Sequence, residues 1–210
     1  MGAKMEYQGL TRDDLANIHA LNRSFLKAIS GSAAETFGVI ASRRLTDSQL
    51  SRLAGVPFLL FSFREHDDDY WQRVLADSPQ FDLIDSGNPR DENIAQLQVA
   101  GLGFLWQLVR RNPYAARIVS GASVRWCERI AGLTLVRLLQ SAATRGDLLH
   151  TRFPDEETVW RRLLEDGISP QRQTRLASHY SALQALLTRA PELRYSSVSA
   201  AACRIRDTKV

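Results

Sequence analysis

The chain has 210 residues, 44% of them hydrophobic and 24% charged, with a formal net charge of +4. That is enough apolar material for one globular core or two small ones, and charge interrupts it too often for a membrane span. Two cysteines far apart, Cys127 and Cys203, do not support a disulfide framework, and Met1 to Tyr7 lack the apolar stretch of a secretory signal, so a cytoplasmic protein with reduced thiols is expected.

The charge is unevenly spread. Residues 1–89 carry 9 Lys+Arg against 12 Asp+Glu, a net −3, and residues 90–210 carry 18 against 11, a net +7. An acidic first part and a basic second part suggest two units with different partners.

Thr11 opens the first helix, with Asp14 in the third helical position completing a capping box. Leu15, Ile18, Leu21, Phe25 and Ile29 follow at spacings of three and four, one apolar stripe that ends at Gly31. A short helix is expected over 32–43, with Phe37 and Ile40 inward. Thr46 and Gln49 form a second capping box for a helix with Leu50 and Leu53 inward, stopped by Gly55 and Pro57. Phe58, Leu59, Leu60, Phe61 and Phe63 then break the helical pattern. Too apolar to stand in water as a loop, they read as a buried strand or an interface segment, and since edge strands of this kind pair across two-fold axes, one short strand or extended segment near 58–63 at a dimer interface is the favoured form. Asp67, Asp68 and Asp69 lead a helix through Trp71, Val74 and Leu75. Three acids at a helix start suit its dipole, and consecutive carboxylates point in different directions, so no metal site is expected there.

Pro79, Gly87, Asn88 and Pro89 mark residues 77–93 as a linker between a first helical region, 1–76, and a basic helical domain, 94–190. In that second part, Ile94 to Arg111 reads as one helix and Asn112-Pro113 as a turn. Tyr114 to about Arg145 reads as one long helix with the stripe Val119, Ala122, Trp126, Ile130 and Leu133. Pro154 opens a helix that runs to Gly167, Ser169-Pro170 opens a last one to about Arg189, and 191–210 form a flexible tail. The predicted fold is therefore all-α.

Chemistry is sparse. His19, His66, His150 and His179 have no metal-ligand spacing to one another or to a cysteine, so neither metal nor cofactor is expected. Gly101-Leu-Gly103 lies in a helical run without the preceding strand of a dinucleotide site, and reads as close helix packing. Ser120 to Ser123 show no nucleophile-elbow pattern, and no catalysis is expected. Leu50 to Val56 looks like the first helix and turn of a helix-turn-helix, but Pro57 to Phe63 offer almost no donors or acceptors to base edges. The residues best placed for non-specific phosphate contact are Arg110 and Arg111 at a helix end, and Arg125 and Arg129 one turn apart. A neighbouring carboxylate neutralising either member of the second pair is the competing reading.

Ile18-His-Ala-Leu-Asn-Arg-Ser-Phe-Leu26 resembles the first helix of FlhD, the helical subunit of the flagellar transcriptional activator. Leu45-Thr-Asp-Ser-Gln-Leu-Ser-Arg-Leu-Ala54 is similar to that family's Leu-Thr-x-x-Gln-x-x-x-Leu-Ala stretch, and Leu59-Leu60 with Phe63-Arg64 fall in step with its Leu-Val-Cys-x-Phe-Arg segment. The likeness covers about residues 15–66. The stretch between the blocks is shorter here, and Phe61 stands where the family often has a cysteine. The resemblance implies a bacterial, all-helical homodimer with 56–64 at or near the dimer contact. It further implies a non-catalytic regulatory role, as in transcription regulation, in complex with a regulatory protein partner; duplex DNA is a candidate partner of the basic second part. A protein-interaction module without DNA binding, of the chaperone or secretion-associated kind, is the alternative.

Overall fold

A computed structural model of the chain describes residues 9–29, 44–76, 89–142, 148–154 and 156–188. Among these it contains nine helices and one two-stranded sheet, so the protein is mainly helical. The helix expected over 32–43 and the tail from 191 lie outside the described residues.

Helix α1 (Arg12–Ile29) starts as its sequence dictates. The backbone N–H of Asp14 donates to Thr11 Oγ1 at 3.1 Å and the N–H of Thr11 donates back to Asp14 Oδ2 at 2.9 Å, a capping box in which Asp replaces the longer Glu. Its stripe turns inward, with Ile18 and Phe25 fully buried. Helix α2 (Asp47–Ala54) carries a second reciprocal box between Thr46 and Gln49 and packs against α1. The chain then extends through a buried segment to strand β1 (Phe61–Ser62). Asp67 caps helix α3 (Asp68–Ala76) by accepting the Tyr70 N–H at 2.9 Å.

Helix α4 (Pro89–Arg111) is the longest and packs on α1, on α5 (Pro113–Ser120), on α6 (Val124–Ala131) and on α7 (Leu135–Ala142). It begins at Pro89, a proline in the first turn where its missing N–H is no loss, so residues 89–93 belong to a helix and not to a linker. Gly101 of α4 faces the β1 segment. A Cβ there would stand 2.7 Å from the Phe63 ring, so the close packing expected of this glycine is what the structure shows.

The single helix expected from Tyr114 to Arg145 is instead three, α5 to α7, as far as Ala142. Gly121 takes a left-handed φ of 68° and its N–H bonds Arg117 O, closing α5; Ser123 Oγ then accepts the Trp126 N–H at 3.0 Å and starts α6. Gly132 closes α6, and Thr134 Oγ1 accepts the Arg137 N–H at 3.2 Å ahead of α7. Val119, Ala122, Trp126 and Ile130 are nevertheless all buried, so the stripe survives the break at Gly121.

Strand β2 (His150–Thr151) pairs antiparallel with β1, Phe61 opposite Thr151 and Ser62 opposite His150. Arg64 and Phe153, two residues past their strands, have φ values of 57° and 58°, which turns the backbone out of the ladder and keeps it short. Pro154 falls in the turn after β2. Helix α8 (Glu157–Glu165) starts three residues later, and α9 (Arg172–Thr188) packs against it.

One hydrophobic core runs through all of this, from Ile18 of α1 to Leu186 of α9. The expected division into 1–76 and 94–190 does not describe the packing: α1 lies on α4, β1 pairs with β2, and Leu59 donates its N–H to Val119 O at 2.9 Å. The apolar segment around 58–63 is covered from both parts, by Phe25 and Asn22 of the first and by Val119, Arg152 and Phe153 of the second. Residues 77–88 themselves lie outside the described residues.

Candidate functional site

Phe58, Leu59, Leu60, Phe61 and Phe63, expected at a dimer contact, are each 0% exposed within the single chain. They are core, not interface. Phe61 packs on Phe25 and Phe63, with ring centroids 5.3 Å apart in both pairs, and Phe58 meets Phe153 edge-on at 6.1 Å. The same geometry removes the helix-turn-helix reading, because the segment that would be a recognition helix is buried and extended.

Burying an irregular segment leaves its backbone groups to be paired by side chains. Two do so. Asn22, fully buried on α1, donates from Nδ2 to Phe58 O at 2.8 Å and to Ala54 O at 3.3 Å, and accepts the Leu60 N–H at 2.8 Å. Arg152, 2% exposed, uses every N–H it has. Nε donates to Leu59 O at 3.1 Å. One terminal nitrogen donates to Ser120 O at 2.6 Å and Glu65 Oε2 at 3.2 Å, and the other to Phe61 O and to Glu65 Oε1 at 3.2 Å. Glu65 is itself buried and takes a further bond from Ser62 Oγ. Burial alone would raise the Glu65 carboxyl, but the charge and hydrogen bonds of Arg152 outweigh it and hold the group below its ordinary value. Arg152 and Glu65 were missing from the sequence expectations. Nothing local marks either: Arg152 stands in Leu148-Leu-His-Thr-Arg-Phe153, a mixed stretch with no periodic pattern, and its partner is 87 residues away.

The four arginines expected to meet phosphate are not gathered as one set of free cations. Arg111 pairs with Asp14, the capping residue of α1. Burial pushes the Asp14 carboxyl up, and hydrogen bonds from Arg111 and Thr11 more than reverse this, so it lies below its ordinary value. Arg125 and Arg129 do share a face of α6, as their spacing predicts, but both point at Asp68 at the start of α3, at 3.4 and 3.2 Å. Arg129 also donates to the Asp68 carbonyl at 3.3 Å. Arg110 is exposed and stacks over the Trp106 ring, 4.7 Å from its centroid. The local neutralisation weighed for Arg125 and Arg129 is therefore the arrangement found, although Arg125 keeps 76% of its side chain exposed.

Among the described residues no group of three or more His, Cys, Asp or Glu side chains is placed to hold a metal ion, and no helix is long and apolar enough to cross a membrane. Cys127 is buried, and desolvation pushes its thiol up to about 11, the opposite of an activated nucleophile. His179, 4% exposed on α9, shares a hydrogen bond of 3.0 Å between Nε2 and Gly167 O, and desolvation lowers its pKa. A shallow cavity of about 180 Å³ between α8 and α9 is lined by Thr158, Val159, Arg162, Ser178, Ser181, Ala182 and Ala185. Among the described residues its only ionisable lining group, Arg162, donates to Ser181 Oγ at 2.7 Å.

The chain matches no known family pattern, no curated protein and no solved structure.

Proposed function

We propose that the protein is a non-catalytic regulatory adaptor of the FlhD type that works by contact with another protein. The observation that carries this reading is the pairing of Arg111 with Asp14 and of Arg125 and Arg129 with Asp68. A guanidinium already facing a carboxylate gains little from a phosphate, because the first partner must be given up. Part of the basic balance of the second part is then internal complementarity with Asp14, Glu65 and Asp68 of the first. The FlhD resemblance, which implies a regulatory complex, supports the same class of function. The homodimer through 58–63 has lost its motive, since those side chains are interior.

A second reading, direct DNA contact, is favoured by one observation: Arg110 and Arg125 remain exposed. Titration of the full chain against a labelled duplex at low salt separates the two. The adaptor reading predicts no saturable binding into the tens of micromolar. Saturable binding whose log–log salt slope flattens by about two in the Arg125→Ala/Arg129→Ala variant would replace it with the DNA reading.

A further inference from the structure

The turn between α8 and α9 offers four carbonyls in a row, and side chains take all of them. Gly167 O bonds His179 Nε2 at 3.0 Å, Ile168 O accepts from Arg52 of α2 at 3.2 Å, and Ser169 O and Pro170 O accept from Arg175 at 2.8 and 3.4 Å. A carbonyl only accepts, so Nε2 carries the proton of the neutral His179 ring. Of these three clasping side chains, His179 alone changes charge near neutral pH.

His179 is buried among charges of its own sign. Arg175, one turn earlier on α9, and His19 of α1 both act against a proton on it, and Arg52 holds the next carbonyl of the turn. Its neighbours three and four residues away along α9 are Arg175, Leu176, Ala182 and Leu183, and those of His19 along α1 are Leu15, Ala16, Asn22 and Arg23, with no carboxylate in either set. Glu165 and Asp166, at the end of α8, are exposed. Loss of water lowers the His179 pKa most, the bond to Gly167 O works the other way, and Arg175 and His19 add to the lowering; burial lowers His19 as well. The main packing partner of α9 is α8. Beyond it, α9 reaches the body through Leu186, whose Cδ1 lies 2.6 Å from where a Cβ on Gly121 would stand, and through the side of His179 that faces His19.

We infer that His179 and His19 form a proton-operated latch: with both rings neutral α9 lies against α1, and with both protonated it lifts away while the core around residues 58–63 stays folded. The inference goes beyond the adaptor reading and does not rest on it. Lifting returns the rings to water, so the open form binds protons more tightly than the closed one. The opening constant therefore grows as pH falls below the ordinary histidine value of 6.5, by at most about tenfold per pH unit for each histidine, and levels off below the value in the closed form.

The test is amide exchange on the full chain at pH 7 and pH 5.5, followed by NMR and corrected for the intrinsic effect of pH on exchange. The amides from Ala182 to Leu186 should exchange faster than those of Leu59 and Arg152 at both pH values. Their protection should fall several-fold between pH 7 and 5.5, with a ceiling of about eightfold for each histidine. His179→Gln keeps a donor for Gly167 O and should remove most of that fall, and His19→Gln/His179→Gln should remove all of it. The readout is the ratio between the two pH values, so a variant that loosens α9 at both still answers the question. Protection of α9 that does not change with pH, exchange of α9 at the same rate as Leu59 and Arg152 at both pH values, or an unchanged fall in the double variant would overturn the inference. None of these outcomes touches the adaptor reading, which falls to saturable duplex binding instead.

Discussion

Replacing Arg152 by Met keeps most of the side-chain volume and removes all five donors. Three carbonyls, of Leu59, Phe61 and Ser120, lose a buried partner, and Glu65 is left as a buried carboxylate facing no cation. Breaking a buried ion pair from one side costs about 3–5 kcal/mol, and each orphaned buried acceptor about 1–3 kcal/mol before relaxation. Against a typical total of ~5–15 kcal/mol, the Arg152→Met chain should be largely unfolded or nearly so. Adding Glu65→Leu removes the stranded charge and should return about 2–3 kcal/mol, leaving the carbonyl losses. Urea unfolding followed by tryptophan fluorescence measures both, since Trp71, Trp126 and Trp160 are all buried. The double-mutant cycle isolates the pair. A loss under ~1 kcal/mol in Arg152→Met, or no recovery in the double variant, would refute the view that this pair holds the apolar segment in place.

The same pair sets an acid limit. Glu65 has a depressed pKa in the folded chain, so its contribution is full above the ordinary glutamate value of 4.5 and fades as pH falls through the folded one. His179 adds a second slope. Its folded pKa lies below 6.5, so the unfolded chain binds more protons under that pH and stability falls as pH drops below it; His179→Gln should remove this part of the slope in melts recorded between pH 7 and 5. Gly101→Ala should destabilise by about 1–3 kcal/mol although alanine is the better helix former, because its methyl meets the Phe63 ring; a more stable variant would contradict the packing. Cys127 should react with a thiol reagent only at the rate of unfolding, and fast labelling of the folded Cys203→Ser chain would contradict its burial and raised pKa.

What the sequence made legible was local. Two capping boxes, the Ile18 to Ile29 stripe and the start of α3 depend on side chains within four residues of one another, and all are found. The three-helix region was hidden because Val119, Ala122, Trp126 and Ile130 keep helical spacing across Gly121, so the pattern alone reads as one helix. The fate of the apolar segment could not be read locally at all. Part of its cover comes from distant residues, Arg152 lying 93 residues beyond Leu59, and an apolar stretch covered by distant chain looks the same in sequence as one covered by a partner. The arginines show the same limit. Spacing placed Arg125 and Arg129 on one face, but only the fold brings Asp68 to it.

The apolar segment at 58–63 is interior to one chain. Amide exchange tests it most directly. The N–H groups of Leu59, Leu60 and Arg152 are bonded to Val119 O, Asn22 Oδ1 and Leu60 O at 2.9, 2.8 and 2.8 Å. They should exchange only through global unfolding, at a rate that does not change when the protein is diluted from micromolar to nanomolar concentration. Protection of these amides that weakens on dilution would mean that the segment is covered by a second copy.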